Sequence, residues 1–443
     1  MRARNCKPTE RVKTLRLEHN LIEIKDVVFG EHTKVDGSTL VIDKDDVIRR
    51  LKEADENILE LKIDLAKPGE KTRIIPVKDV IEPRYKTKGT PGFAAVTTEA
   101  GPLGDGAVNI LKNVAVVTIG DMVGFQEGII DMWGEGAKWT PFSKTLNVVV
   151  DITPVEGLSP HEHEKLVRLA GLRASEYIGE AAKDAQISET VVYEKGSIPE
   201  ENEKYPDLPK VVYVEMLISQ GLLHASYIYG TDSAHILPTL MAPTEELDGA
   251  VISGNCVAAC DKITTWQHQN NNVIKELLAL HGKEINFTGV ILVPELTTLN
   301  GKFVSCDYTA KLCRELGADG VIVSEEGYGN PDSDLLMICQ RLEKSGIKTV
   351  LITDECAGWD GMSQPLADTA QEAVAVVSTG NVSHVVTLEK ADTILGDPHA
   401  VANIAGGWEG AYNEEDGTIQ CELNAVIGST SEIGTHNATI ELV

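Results

Sequence analysis

The sequence predicts an α/β protein with two unlike parts: a mixed, β-rich N-terminal region and a C-terminal α/β domain built on a parallel sheet. Three observations predict it. From Phe287 onward, short Val/Ile-rich runs alternate with longer helical segments, the pattern of parallel strands covered on both faces. Before about residue 90 the apolar residues fall in short runs separated by turn formers, which reads as strands. With 443 residues, 42% apolar and 24% charged, the chain can build two or three separate cores.

The elements follow in order. Leu15, Leu17, Leu21, Ile22 and Ile24 suggest strands, and Val35–Ile42 a turn and a strand. Asp43 is placed to cap a helix running to about Ile58, and Leu59–Ile81 reads as a strand pair. Residues 86–142 are rich in glycine and read as loop, with one strong strand at Val114–Ile119. Thr145–Val150 is a strand. Ser159-Pro160-His161-Glu162 then supplies cap, N1 proline and capping-box glutamate for a helix to about Asp184. Residues 195–209 form a polar, proline-rich excursion, and Lys210–Leu223 a buried strand. Lys262–Leu280 reads as helix, interrupted at Gln269–Asn272 because asparagine favours caps and turns. After it come strand Phe287–Val293, helix Lys302–Leu316, strand Gly320–Ser324, helix Asp332–Ser345, and strands Thr349–Thr353 and Ala373–Val377. This divides the chain into a β-rich region 1–90, an α/β region 91–255 and a C-terminal α/β domain 256–443.

The net charge of −28 argues against nucleic-acid phosphates and anionic membrane surfaces as partners. The N-terminus lacks the apolar core of a signal peptide, and no run is long enough to span a bilayer. Eight irregularly spaced cysteines fit a reducing cytoplasm better than a disulfide framework. Without a C-x-x-C pair, and with His161 and His163 separated by about 200° around a helix, no metal site is expected. Cys306 and Cys313, seven apart on one helix, read as core packing.

The chemistry concentrates in two places. The first is Gly254-Asn255-Cys256-Val257-Ala258-Ala259-Cys260-Asp261-Lys262. The Cys256 thiol stands directly after the Asn255 carbonyl, and attack on it gives an N-to-S acyl shift. β-Elimination at that thioester breaks the chain and leaves dehydroalanine, which hydrolyses to a pyruvoyl group. The second place is the carboxyl end of the expected parallel sheet, where ligands of open α/β sheets bind. The loops there are Pro294-Glu295, Glu325-Glu326-Gly327-Tyr328-Gly329-Asn330-Pro331-Asp332, Asp354–Gly358 and Ser378–Asn381. Glu325 and Asp354 are the candidate acid–base or ammonium-binding carboxylates. The turn with Gly327, Gly329 and Asn330 leads into a helix whose N-terminus suits a substrate carboxylate. His235, some twenty residues before the pair, is the histidine best placed for catalysis, although a lone histidine is more often structural.

The stretch Gly254–Lys262 resembles the cleavage region of the proprotein subunit of component B of clostridial glycine reductase, shared with sarcosine and betaine reductases. Glu325–Asp332, Thr353-Asp354-Glu355 and Gly396-Asp397-Pro398-His399-Ala400-Val401 resemble the same family. The resemblance implies cleavage between Asn255 and Cys256, with Cys256 as precursor of the pyruvoyl group. It implies a selenoprotein subunit of component B as partner, because this chain has no selenocysteine, together with selenoprotein A and the acetyl-phosphate-forming component C. It implies a small amine as substrate: a selenolate captures its α-carbon, the amine leaves, and the carboxymethyl group ends as acetyl phosphate. A disulfide or thioredoxin-type protein is the expected redox partner. Glycine or sarcosine is favoured over betaine, whose quaternary nitrogen cannot condense with a ketone. The alternatives left open are a D-proline reductase proprotein, a pyruvoyl decarboxylase, an intein-like element and a non-catalytic scaffold for the selenoprotein subunit.

Overall fold

The computed structural model describes residues 14–123, 127–219, 225–254 and 262–434. The protein is mixed α/β with several mixed sheets. One six-stranded sheet carries the parallel core. Lys210–Leu217 lies at its centre, parallel to Asn286–Pro294 on one side and Gly320–Ser324 on the other. Lys348–Glu355 and Val376–Asn381 extend it in the same direction, and Thr239–Met241 closes the opposite edge antiparallel. Two of its strands, Thr239–Met241 and the central one, thus precede position 255 and the other four follow it.

Side-chain alternation in the central strand shows why it is buried on both faces. Val212, Val214 and Met216 pack with helices Leu299–Glu315 and Asn330–Lys344, where Cys306, Cys313, Leu335 and Ile338 fill the core. Both cysteines pack as expected. Tyr213 and Leu217 face the other way, against Leu17, Leu247, Ile274 and Leu277. Glu215 shares that second face, a charged residue at a position where only apolar ones were expected.

A second six-stranded sheet gathers Thr72–Ile81, Val114–Gly120, Leu146–Pro154, Ile58–Ala66 and Gly128–Asp131. Helix Pro160–Gly179 packs on it through Leu166, Val167, Ala170 and Ala174. Its start is the expected capping box: Glu162 Oε2 accepts from Ser159 N at 2.9 Å while Ser159 Oγ accepts from Glu162 N at 3.3 Å. Thr393–Gly396 joins this sheet from the far end of the chain, parallel to Thr72–Ile75. Gly396 permits the approach: its φ is +101°, and a Cβ there would stand 1.8 Å from the Ile75 carbonyl oxygen.

Several expectations are corrected. Residues 86–142 hold more than the one strand expected there. They contain strands Arg84–Lys88, Gly106–Lys112, Val114–Gly120 and Gly128–Asp131, because glycines at the strand ends hide short buried runs. Ile58–Ala66 and Thr72–Ile81 are strands but not a pair; Val114–Gly120 and Leu146–Pro154 intervene between them. Asp43 caps its helix by accepting from Asp46 N, but the helix ends at Ala54. The excursion 195–209 holds a helix, Ile198–Lys204, started by the Ser197–Glu200 capping box. The interruption near Asn270 is real: helices Thr265–Gln269 and Asn272–Leu280 meet there, and Asn271 Oδ1 accepts from Ile274 N at 3.1 Å. Among the described residues, no helix is long and apolar enough to cross a membrane.

Candidate active site

The carboxyl end of the parallel sheet is acidic and closed to water. Glu295, Glu325, Glu326 and Asp354 are fully buried, and Asp332 nearly so. Glu295, Glu325 and Glu326 follow strand ends, Asp354 lies in the last residues of its strand, and Asp332 in the first turn of the helix that follows. Their carboxylates are held by named donors. Glu326 Oε2 accepts from Ile218 N at 2.7 Å and its Oε1 from Ile263 N at 3.1 Å. Glu295 Oε1 accepts from Glu326 N at 3.1 Å. Glu325 Oε2 accepts from Thr353 Oγ1 at 2.8 Å, and Asp354 Oδ2 from Thr430 Oγ1 at 3.0 Å.

So many carboxylates at one buried point cannot all ionise at neutral pH. Burial and then Asp332 push Glu325 well above the usual carboxylate range. Burial and then Glu326 do the same to Glu295. Burial also raises Glu326, with His268 and backbone donors pulling the other way. Burial thus favours the protonated form of Glu295, Glu325 and Glu326 over their charged form.

The turn before the second helix is partly committed to the fold. Gly329 N donates to Asp332 Oδ1 at 2.9 Å, so the first helical turn caps itself, as expected for Asp332. Gly327 and Gly329 take φ of +98° and +82°, the left-handed region that favours glycine. The Asn330 carbonyl accepts from Lys302 Nζ at 2.9 Å. His235 sits on a turn docked to the sheet end, where Ser233 Oγ donates to the Ile218 carbonyl at 3.0 Å. Its imidazole, however, points to solvent: it is 78% exposed, with Asp232 at 3.8 Å. Glu325, Asp354 and the glycine turn are thus brought together, and the His235 ring is not brought in with them.

The Asn255–Cys256 pair lies outside the described residues, but both its flanks are described. Gly254 is buried, and its carbonyl oxygen accepts from Lys262 Nζ at 2.8 Å and from Ser253 Oγ at 3.1 Å. Lys262 is 2% exposed; it also donates to the Lys78 carbonyl, and its ammonium lies 4.0 Å from Asp79. Asp79 accepts from Thr265 Oγ1 at 2.7 Å, and Thr265 Oγ1 accepts from Ser253 N at 3.0 Å. Burial raises the Asp79 pKa against the pull of Lys262. A register shift in Thr72–Ile81, between Val77 and Asp79, places Lys78 in a bulge, which re-aims side chains there. Sequence reasoning missed Lys262 and Asp79 as partners. They are 183 residues apart in the chain (262 minus 79); Lys262 ends the Gly254–Lys262 stretch, but Asp79 belongs to no local motif.

Ile263 is held by Glu326, one residue after Lys262. The flank of the Asn255–Cys256 pair and the acidic end of the sheet therefore form one continuous buried polar centre. The family of glycine/sarcosine/betaine reductase component B subunits matches this chain over residues 15–441. The chain belongs to that family. A component B relative from Peptoclostridium acidaminophilum, the glycine reductase complex subunits alpha and beta, is 51% identical over 95% of this chain and 98% of its own. The sarcosine reductase subunit alpha of the same organism is 47% identical over 96% of this chain and 99% of its own. Its betaine reductase counterpart is 38% identical over 96% and 100%. No solved structure matches the component B fold of this chain.

A second cluster lies under the same sheet. His268 Nδ1 stands 3.2 Å from Glu215 Oε1 and 3.6 Å from Glu246 Oε1, and all three residues are fully buried. Burial opposes a charge on His268, but the two carboxylates outweigh it and push its pKa to about 10. Burial and then Glu246 raise Glu215 well above its ordinary value.

Proposed function

We propose that this chain is the proprotein, substrate-binding subunit of a selenium-dependent reductase acting on glycine or sarcosine, and that it matures by cutting itself at Asn255–Cys256. Family membership over nearly the whole length supports the subunit reading. The observation that carries the processing reading is the Lys262–Gly254 contact. A buried ammonium is fixed on the backbone one residue before the scissile carbonyl, where attack by a thiol would develop negative charge. Self-cleavage balances without an oxidant. The Cys256 sulfur takes the Asn255 acyl group. A base removes the Cys256 Cα proton as the sulfur–Cβ bond breaks, leaving a thiocarboxylate on Asn255 that water converts to a carboxylate and hydrogen sulfide. The dehydroalanine tautomerises to an imine, and water replaces its nitrogen as ammonia leaves.

The flank fits a pyruvoyl group at position 256, since Lys262, Ser253 and Asp79 are preplaced polar groups in a dry site. When present, the group supplies an electrophilic ketone that accepts a primary or secondary amine. The residues of the chain do the rest. Asp354 and Glu326 offer carboxyl oxygens to the substrate ammonium, and Glu325, whose protonated form burial favours, stands beside them as a proton donor. The partner selenoprotein supplies the selenolate that displaces the amine from the α-carbon. Two electrons and two protons from a dithiol protein complete the reduction, and the cytoplasm is the compartment that keeps such thiols reduced.

The order of identity, 51% to the glycine, 47% to the sarcosine and 38% to the betaine enzyme, supports the two substrates whose nitrogen can condense. A D-proline reductase reading is weaker: that proprotein, from Acetoanaerobium sticklandii, is 20% identical, and the match spans 54% of it. Acetyl phosphate formation by the reconstituted complex with each amine tests the choice. Turnover with glycine or sarcosine is expected, and turnover with betaine alone overturns it.

A further inference from the structure

We propose that Glu215, Glu246 and His268 bind a divalent first-row transition-metal ion, of the zinc or iron(II) type. Three elements bring them together: the central strand of the parallel sheet, the short helix Pro243–Leu247 and the short helix Thr265–Gln269. One ligand atom from each lies within 4.8 Å of the others. Three ligands at about 2.0–2.2 Å from one ion stand about 3–3.5 Å apart, and the His268 nitrogen lies 3.2 and 3.6 Å from the two carboxylates.

The second observation is the state of the polar atoms. Both oxygens of Glu215, Oε2 of Glu246 and both ring nitrogens of His268 are buried and have no aligned hydrogen-bond partner. Buried polar groups in folded proteins are almost always satisfied, and orphan atoms on all three side chains, one from each able to face a common point, call for an occupant. The imidazole is close enough to Glu215 for an ion pair but is not aligned to donate to it, as expected where lone pairs converge on an ion. Charge gives the valence. Two buried carboxylates facing one imidazole suit a dication bound through the neutral ring, the ion taking the place of the His268 proton. The donor set gives the class. Imidazole with carboxylate suits zinc, iron(II) or manganese, and among the described residues the cluster holds no thiolate to favour copper(I). Asn271 Nδ2 donates to Glu246 Oε1 at 2.8 Å, the outer contact that orients a ligating carboxylate.

The ligands explain why the sequence shows no metal motif. They stand at 215, 246 and 268 with no local spacing, and each looks like an isolated polar residue. They also straddle the proposed cut: Glu215 and Glu246 precede position 255 and His268 follows it. The ion would therefore staple the two fragments of the mature subunit, a role that rests on the cleavage reading although the site itself does not.

The test is plasma mass spectrometry on the full chain purified without added metal. The site predicts one equivalent of one first-row metal per chain. After chelation, added cobalt(II) should restore one equivalent with visible d–d bands. His268→Ala and Glu246→Gln should abolish the bands with near-UV dichroism retained, and Asn271→Ala should weaken binding about tenfold or more. If the ligand variants do not fold, X-ray absorption on the wild-type chain decides. Imidazole and carboxylate scatterers support the site, and sulfur scatterers place the metal on cysteines and overturn it. No metal above background together with no cobalt spectrum also overturns it, leaving water or a proton in the cluster. An uncut Cys256→Ala chain should bind the same equivalent, which separates failure of the metal site from failure of the cleavage reading.

Discussion

Lys262 donates to the carbonyl oxygen of Gly254 at 2.8 Å, tying the two described edges of the segment that holds Asn255 and Cys256. The same ammonium lies 4.0 Å from Asp79, on a strand of the other large sheet. The flank of the Asn255–Cys256 pair is thus anchored to a strand 183 residues away in the chain.

The first prediction is that Lys262→Met slows processing by up to about 10²-fold, the cost of misplacing the scissile carbonyl once the Gly254 backbone beside it loses the ammonium that fixes it. The variant should still fold. Asp79 is already raised by burial, and without Lys262 it takes a proton instead of remaining an unpaired charge. Intact mass against time after synthesis measures the effect. Processing at the wild-type rate would remove Lys262 from the mechanism.

The second prediction is that the fragments 1–255 and 256–443 remain together after the cut. Lys210–Leu217 lies between two strands from the later fragment, and Thr393–Gly396 adds to a sheet built from the earlier one. Pulling them apart would expose both faces of the central strand. Gel filtration without denaturant should give one peak containing both fragments; separate elution would contradict the shared sheet.

The third prediction concerns pH. Glu325 has a folded pKa raised by burial, then by Asp332 and Glu295, so the native state binds its proton more tightly than the unfolded chain does. The sign follows from linkage: stability falls as pH rises from the unfolded pKa, about 4.3, towards the raised folded value, by up to about 1.4 kcal/mol per pH unit. Glu325→Gln removes that proton and keeps the shape, so its stability should fall less between pH 5 and pH 8. Urea unfolding across that range checks it. Equal slopes for the two proteins would mean that Glu325 is ionised in the fold.

The parallel strands after residue 286 were legible because they are short, Val/Ile-rich and bounded by polar turns. Phe287–Val293 and Gly320–Ser324 fall within the observed strands Asn286–Pro294 and Gly320–Ser324. Glu325 and Asp354 were legible as site candidates for the same reason, since a carboxylate just past a buried strand sits at the sheet's carboxyl end. What was not legible depended on partners far away in sequence. Gly106–Lys112 looked like loop because its pairing partner is Leu17–Glu23. The Lys262–Asp79 contact and the Glu215–Glu246–His268 cluster leave no trace in local spacing, and His235 looked better placed than its exposed ring allows.

The central claim is that Cys256 becomes an electrophilic carbonyl at a new chain terminus. Mass spectrometry of the purified active complex after treatment with a hydrazine reagent tests it most directly. The account predicts two fragments, the later one beginning at position 256, blocked to Edman degradation and carrying a single hydrazone. An intact chain with a free Cys256 thiol in a complex that turns over its amine would contradict it.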